Sequence, residues 1–178
     1  SSHFDCWGWA TWKRVWKNFH VDMHPYADNY RGIINGTLMT RYFKRMLISE
    51  LSKCLSGTVN SWAYPFQLYF QANKWLCVVP RVRLVGNGGF FDKNATHTGG
   101  YFYFATEFAD VGSIGVSLIH PEVVSCDEWA DRMREQVEGG LFPRGLTWIG
   151  SKFPACRPFL SLIGDFLWRC CPWFFRFP

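Results

Sequence analysis

The sequence predicts a mixed α/β fold in which amphipathic helices are followed by a small sheet. Two observations carry that prediction. Apolar residues recur at 3.6-residue spacing over residues 11 to 19, 38 to 55 and 61 to 73, as helices with one buried face require. The pattern then changes to short Val/Leu runs, Leu76 to Val79 and Val82 to Val85, bounded by Pro80 and Gly86.

Taken in order, residues 11 to 19 place Trp12, Val15, Trp16 and Phe19 on one face, with Thr11 as the expected cap and Lys13, Arg14 and Lys17 off that face. Residues 20 to 37 show no period. His20, Asp22, His24, Pro25, Asp28 and Asn29 punctuate them, and Gly32 and Gly36 break them again, so no helix is expected and the two His are not read as a metal pair.

A long helix is predicted from 38 to 55. Met39, Phe43, Met46, Leu47, Leu51, Cys54 and Leu55 form its stripe, and Gly57 stops it. Asn60 or Ser61 is expected to cap the next helix, 61 to 73, which turns Trp62, Phe66, Tyr69 and Phe70 inward and tolerates Pro65 in its first turn. Strands are predicted over 76 to 85 and in the aromatic stretch 99 to 105. The tetrapeptide Ser125-Cys-Asp-Glu128 reads as a capping box opening a helix that closes at Gly139-Gly140.

At 178 residues the chain is long enough for one sizeable core. Seven cysteines, at 6, 54, 77, 126, 156, 170 and 171, form no CxxC pair and are odd in number, which fits scattered thiols in a reducing cytoplasm better than a disulfide framework. The net charge of +5 suits an anionic partner. No dense basic cluster interleaves with aromatics, which argues against nucleic acid. Aromatic residues make up 19% of the chain, enough to supply stacking platforms for sugar rings or anchors at a membrane interface besides filling a core. No apolar run reaches the roughly 18 residues of a spanning helix.

Three segments carry the functional expectation. The first is Asp5-Cys-Trp-Gly-Trp-Ala-Thr-Trp12, where Gly8 between two Trp lets the chain bend while both indoles face one cleft. The second is Ser61-Trp-Ala-Tyr-Pro-Phe66. The third runs from Arg83 to Thr98, a strand end leading into a loop with Gly86, Gly88 and Gly89 and with Asn87, Asp92, Asn94 and His97 as polar or metal-binding groups.

In this order these segments, within roughly residues 2 to 98, resemble the C-terminal half of bacterial sugar-nucleotide glycosyltransferases of the GT-A type. The resemblance implies residues 1–120 as the acceptor and metal side of such a domain, with 121–178 as a helical extension ending in an aromatic, basic tail. It implies Trp7, Gly8, Trp9, Asn60, Trp62 and Asn87 as substrate-binding residues and His97 as a ligand to a divalent metal, Mn²⁺ or Mg²⁺, held with the donor diphosphate. Trp12 is better explained as core.

Relatives in that family hold an acid beside the second block's Trp, whereas here Asn60 and Ala63 flank it. An amide is no base at neutral pH, so either another acid such as Asp5 or Asp92 serves, or catalysis is impaired. The acidic DxD motif is also missing from these residues. The expected function is therefore an incomplete transferase of sugar from a nucleotide-sugar donor to a glycan or lipid-linked acceptor, in the cytoplasm or at the inner face of the membrane. The alternatives are a carbohydrate-binding domain or a peripheral membrane-interaction domain without catalysis.

Overall fold

The computed structural model describes residues 1–6, 8–80, 84–85, 112–113, 115, 117–139, 149, 152–153 and 155. Its contacts divide the chain into two units, Ser1–Val79 with Pro121–Arg132, and Pro80–His120 with Met133–Pro178.

Among the described residues the fold is helical and contains no strand, which corrects the α/β expectation. The order is α1 (Lys13–Trp16), a 3₁₀ turn (Ala27–Asn29), α2 (Tyr30–Asn35), α3 (Arg41–Leu55), α4 (Ala63–Ala72) and α5 (Glu128–Gly139). Residues 76–79 have no regular structure. Ser1 and Cys77 exchange backbone hydrogen bonds, Ser1 N to Cys77 O at 3.0 Å and Cys77 N to Ser1 O at 2.8 Å. That is one rung, and a strand needs a ladder of them. Val78 and Val79 are 83% and 56% exposed, while Cys77 of the same run packs against the Phe66, Tyr69 and Phe70 cluster. Only Leu84 and Val85 of the second predicted strand are described, and 99 to 105 lie outside the described residues.

The α3 stripe forms as its spacing requires. Met39, Phe43, Leu47 and Leu51 are buried, joined by Tyr30 and Ile34 of α2 and Leu68 of α4 in one cluster, with Met46 and Cys54 packed against it. Each such side chain taken fully from water contributes about 1.5–3 kcal/mol. Thr40 caps the helix by accepting from Phe43 N at 3.4 Å. At the other end Gly57 adopts φ +72, and Gly57 N and Thr58 N donate to Cys54 O and Lys53 O at 3.1 and 2.9 Å. This paired arrangement satisfies carbonyls the last turn leaves open, and it works at low conformational cost because glycine occupies the left-handed position.

Helix α2 lies where no helix was expected. Tyr30, Ile33 and Ile34 give it one apolar face, and tertiary packing of Tyr30 and Ile34 offsets the weak propensity of Gly32. The Tyr30 hydroxyl lies 2.7 Å from Ser52 Oγ, whose own proton goes to Ile48 O at 2.8 Å, so Tyr30 is the donor that ties α2 to α3.

Three expected caps differ. Residue 12, not Thr11, precedes α1, which is a single turn. Trp62, not Asn60 or Ser61, precedes α4 and makes no side-chain cap. Asp127 rather than Ser125 caps α5, its Oδ1 accepting from Ala130 N at 2.9 Å.

Candidate functional site

The first four residues are fastened to α4 and α5 before the aromatic segment begins. Phe4 N donates to Gln67 Oε1 at 2.8 Å, and Gln71 Nε2 donates to the Ser2 carbonyl. Ser2 donates twice to Asp131 Oδ2, from its N–H and from its hydroxyl, each at 2.7 Å. Cys126 Sγ donates to the same oxygen at 3.0 Å. Burial alone would raise the Asp131 carboxyl, but the hydrogen bonds from Cys126, Ser1 and Ser2 outweigh it and hold the group well below the ordinary carboxylate range. Burial, reinforced by the Asp131 charge, pushes the Cys126 thiol up, which keeps it protonated as the donor.

That anchorage seats the Phe4 ring 4.6 Å from Phe66 and 4.8 Å from Trp9. Gly8, at φ +64, then turns the chain so that Trp9 lies over Trp62, with ring centroids 5.5 Å apart and planes 26° from parallel. Trp16 meets Trp62 edge to face at 5.8 Å and also packs on Trp9, Phe19 and Phe66. Phe66 is buried beneath, with Tyr69 and Phe70 beside it. The floor is thus closed, while Trp62 and Trp16 keep 38% and 46% of their surface in solvent.

Chemically this is a braced aromatic surface. Half-exposed indoles offer apolar faces to the C–H groups of a sugar ring, and an indole N–H is a ready donor. Because the rings pack on one another, their rotamers are fixed without a ligand, so little side-chain entropy is lost when one binds.

Of the residues singled out in the sequence, Trp9 and Trp62 are brought together and Gly8 makes the turn between the segments. Asp5, half-buried, follows Phe4 directly and is engaged with neighbouring groups. Asn60 is exposed two residues before Trp62. Trp7, Asn87, Asp92 and His97 lie outside the described residues.

Trp12 is not core. It is 64% exposed, because its extended backbone (φ −83, ψ 145) takes it out of phase with the single turn that follows. Phe4, the wedge between Trp9 and Phe66, was not singled out in the sequence, and Trp16, expected on an apolar helix face, keeps 46% of its surface exposed.

Among the described residues no three His, Cys, Asp or Glu side chains converge where a metal ion could sit. The His20 and His24 rings meet edge to face at 5.9 Å, but nothing joins them as a third ligand.

Among the described residues no helix is long and apolar enough to cross a membrane. Among the described residues no disulfide joins Cys6, Cys54, Cys77 and Cys126 to one another. No protein family, no curated protein and no solved structure matches this chain.

Proposed function

We propose that this chain binds carbohydrate on the Trp9–Trp62–Trp16 surface, as the acceptor side of a sugar transfer from a nucleotide-sugar donor. The single observation carrying the reading is the stacking of Trp9 on Trp62, with Trp62 and Trp16 half-exposed over a closed aromatic floor. The two indoles, 53 positions apart in the sequence, come from segments whose likeness to glycosyltransferase blocks supports the same role. In this reading Asp5, beside Phe4, is the acid nearest in sequence to the platform and serves as the candidate base toward an acceptor hydroxyl. His97 is the proposed contributor to a divalent metal, and the remaining ligands come from outside this chain's residues, since one imidazole cannot hold a hard cation. Scattered thiols support a cytoplasmic setting.

The test is a saccharide array probed with the chain and with Trp62→Ala. Binding of a defined saccharide, weakened by about 1–3 kcal/mol when the indole is removed, is the expected result. Equal binding by Trp62→Ala would move the site elsewhere. Nucleotide-sugar turnover with Mn²⁺ is expected to be absent for these 178 residues taken alone. Robust transfer would show that the donor site lies among residues assigned no such role here.

A further inference from the structure

The turn α1 and the residues at its two ends present aromatic and basic side chains to solvent. Trp12, extended just before the turn, and Trp16 at its end are 64% and 46% exposed, and Lys13 and Lys17, four positions apart, are exposed as well. Arg14 completes the set, its guanidinium carbon 4.9 Å from the Trp12 ring centroid. All three cations are exposed. The first turn of α1 carries no acid, and among the described residues the ion pairs, Lys53 with Glu50 and Arg132 with Glu128, involve none of the three. Lys44, by contrast, has a partner in Asn35 O at 2.9 Å. Among the described residues Lys13, Arg14 and Lys17 thus have no ion-pair partner, and all three lie within three positions of Trp16, whose ring meets Trp62 at 5.8 Å.

Resting on the carbohydrate reading above, we propose that the saccharide bound at this surface is anionic: a glycan whose acidic groups are met by Lys13, Arg14 and Lys17 while a ring stacks on Trp62 and Trp16. Clustered like charges repel one another, and an anion between them relieves that repulsion. Arg14 is already held over Trp12, so its planar fork is oriented before a carboxylate or sulfate arrives, and less freedom is lost on binding. A membrane surface would also attract cations with Trp. The four residues of α1, however, form no amphipathic stripe able to lie in an interface. Trp16 and Trp62 are moreover braced against Trp9 and Phe66 rather than free to insert.

The experiment compares three probes by titration of the chain: a galacturonic acid hexamer, a galactose hexamer of equal length, and phosphatidylserine-containing vesicles. Three exposed ion pairs together are expected to favour the acidic hexamer on the order of tenfold at low salt. The advantage should vanish near about 1 M salt, where screening acts over about 3 Å. A variant with Lys13→Gln, Arg14→Gln and Lys17→Gln should reduce the affinity for the acidic hexamer to that for the neutral one. All three positions are on the surface, and an unchanged far-ultraviolet spectrum verifies the fold. Equal affinity for the two hexamers would overturn the charge assignment and leave the stacking surface intact. Binding of neither hexamer would overturn the stacking surface itself. Binding of vesicles without either hexamer would replace both with a membrane contact.

Discussion

Replacing Asp131 with Asn should loosen the N-terminal segment from α5, and its cost follows from three bonds. Asp131 Oδ2 accepts from Ser2 N, Ser2 Oγ and Cys126 Sγ at 2.7, 2.7 and 3.0 Å, and the residue is only 7% exposed. Hydrogen bonds to a charged acceptor contribute about 1.5–3 kcal/mol each, thiol donors less. An amide retains one weaker acceptor, and Ser2 regains water when released, so the loss should be about 3 kcal/mol. For a chain of this size that lowers the thermal midpoint by about 6–12 °C.

The pH dependence has a fixed sign. The folded-state pKa is depressed, so the stabilisation is complete above the unfolded-state value near 3.9 and is lost as pH falls toward the folded one. Below about pH 3.9 each unit removes about 1.4 kcal/mol, so the gap between parent and variant should narrow by about 1 kcal/mol at pH 3. Calorimetry of both proteins at pH 7 and pH 3 measures this. A gap under about 1 °C at neutral pH would refute the role of the carboxylate. A gap of full size at pH 3 would refute its depressed titration.

Other substitutions probe separate links. Gly57→Ala meets no atom within 4 Å, so its cost is purely that of a left-handed backbone, about 1 kcal/mol by chemical denaturation. Leu51→Ala empties a fully buried site in the α2–α3–α4 core and should cost about 2–5 kcal/mol. Thr40→Ala removes the accepted bond from Phe43 N and should cost about 1 kcal/mol, with fraying confined to the first turn of α3 by amide exchange. Little or no loss at Leu51 would mean that the cluster is not the core of this unit.

The long helix was legible because its stripe repeats over four turns, and only one phase buries Phe43, Leu47 and Leu51 together. Pro65 in the first turn of α4 was legible for a local reason, its missing donor being one the helix leaves unused. Helix α2 was hidden because six residues give a single repeat, and its stability comes from α3 and α4 rather than from its own composition. The Leu76–Val79 run misled in the opposite way. Branched apolar residues fit a sheet only when neighbouring strands exist, a non-local fact. Trp9 and Trp62 were singled out through the resemblance of their segments to glycosyltransferase blocks, and the stacking of the two rings was not foreseen. The Asp131 anchor was not, because its partner Ser2 is 129 residues away.

The Trp9–Trp62 pair also gives the chain an optical signature. Two indoles 5.5 Å apart and 26° from parallel couple their electronic transitions. Coupled transitions split into a circular-dichroism doublet that neither ring shows by itself. Trp16 lies 5.8 Å from both rings and couples as well, so replacing Trp9 with Phe would reduce the doublet to the Trp16–Trp62 share while leaving an aromatic ring in the stack. A ligand laid on the open face of Trp62 perturbs one member of the coupled pair, so it would shift the doublet without erasing it. Loss of the N-terminal anchorage would separate Trp9 from Trp62 and reduce the doublet in the same way. The same spectrum can therefore follow the docking of the first segment and the occupancy of the surface, with no label added.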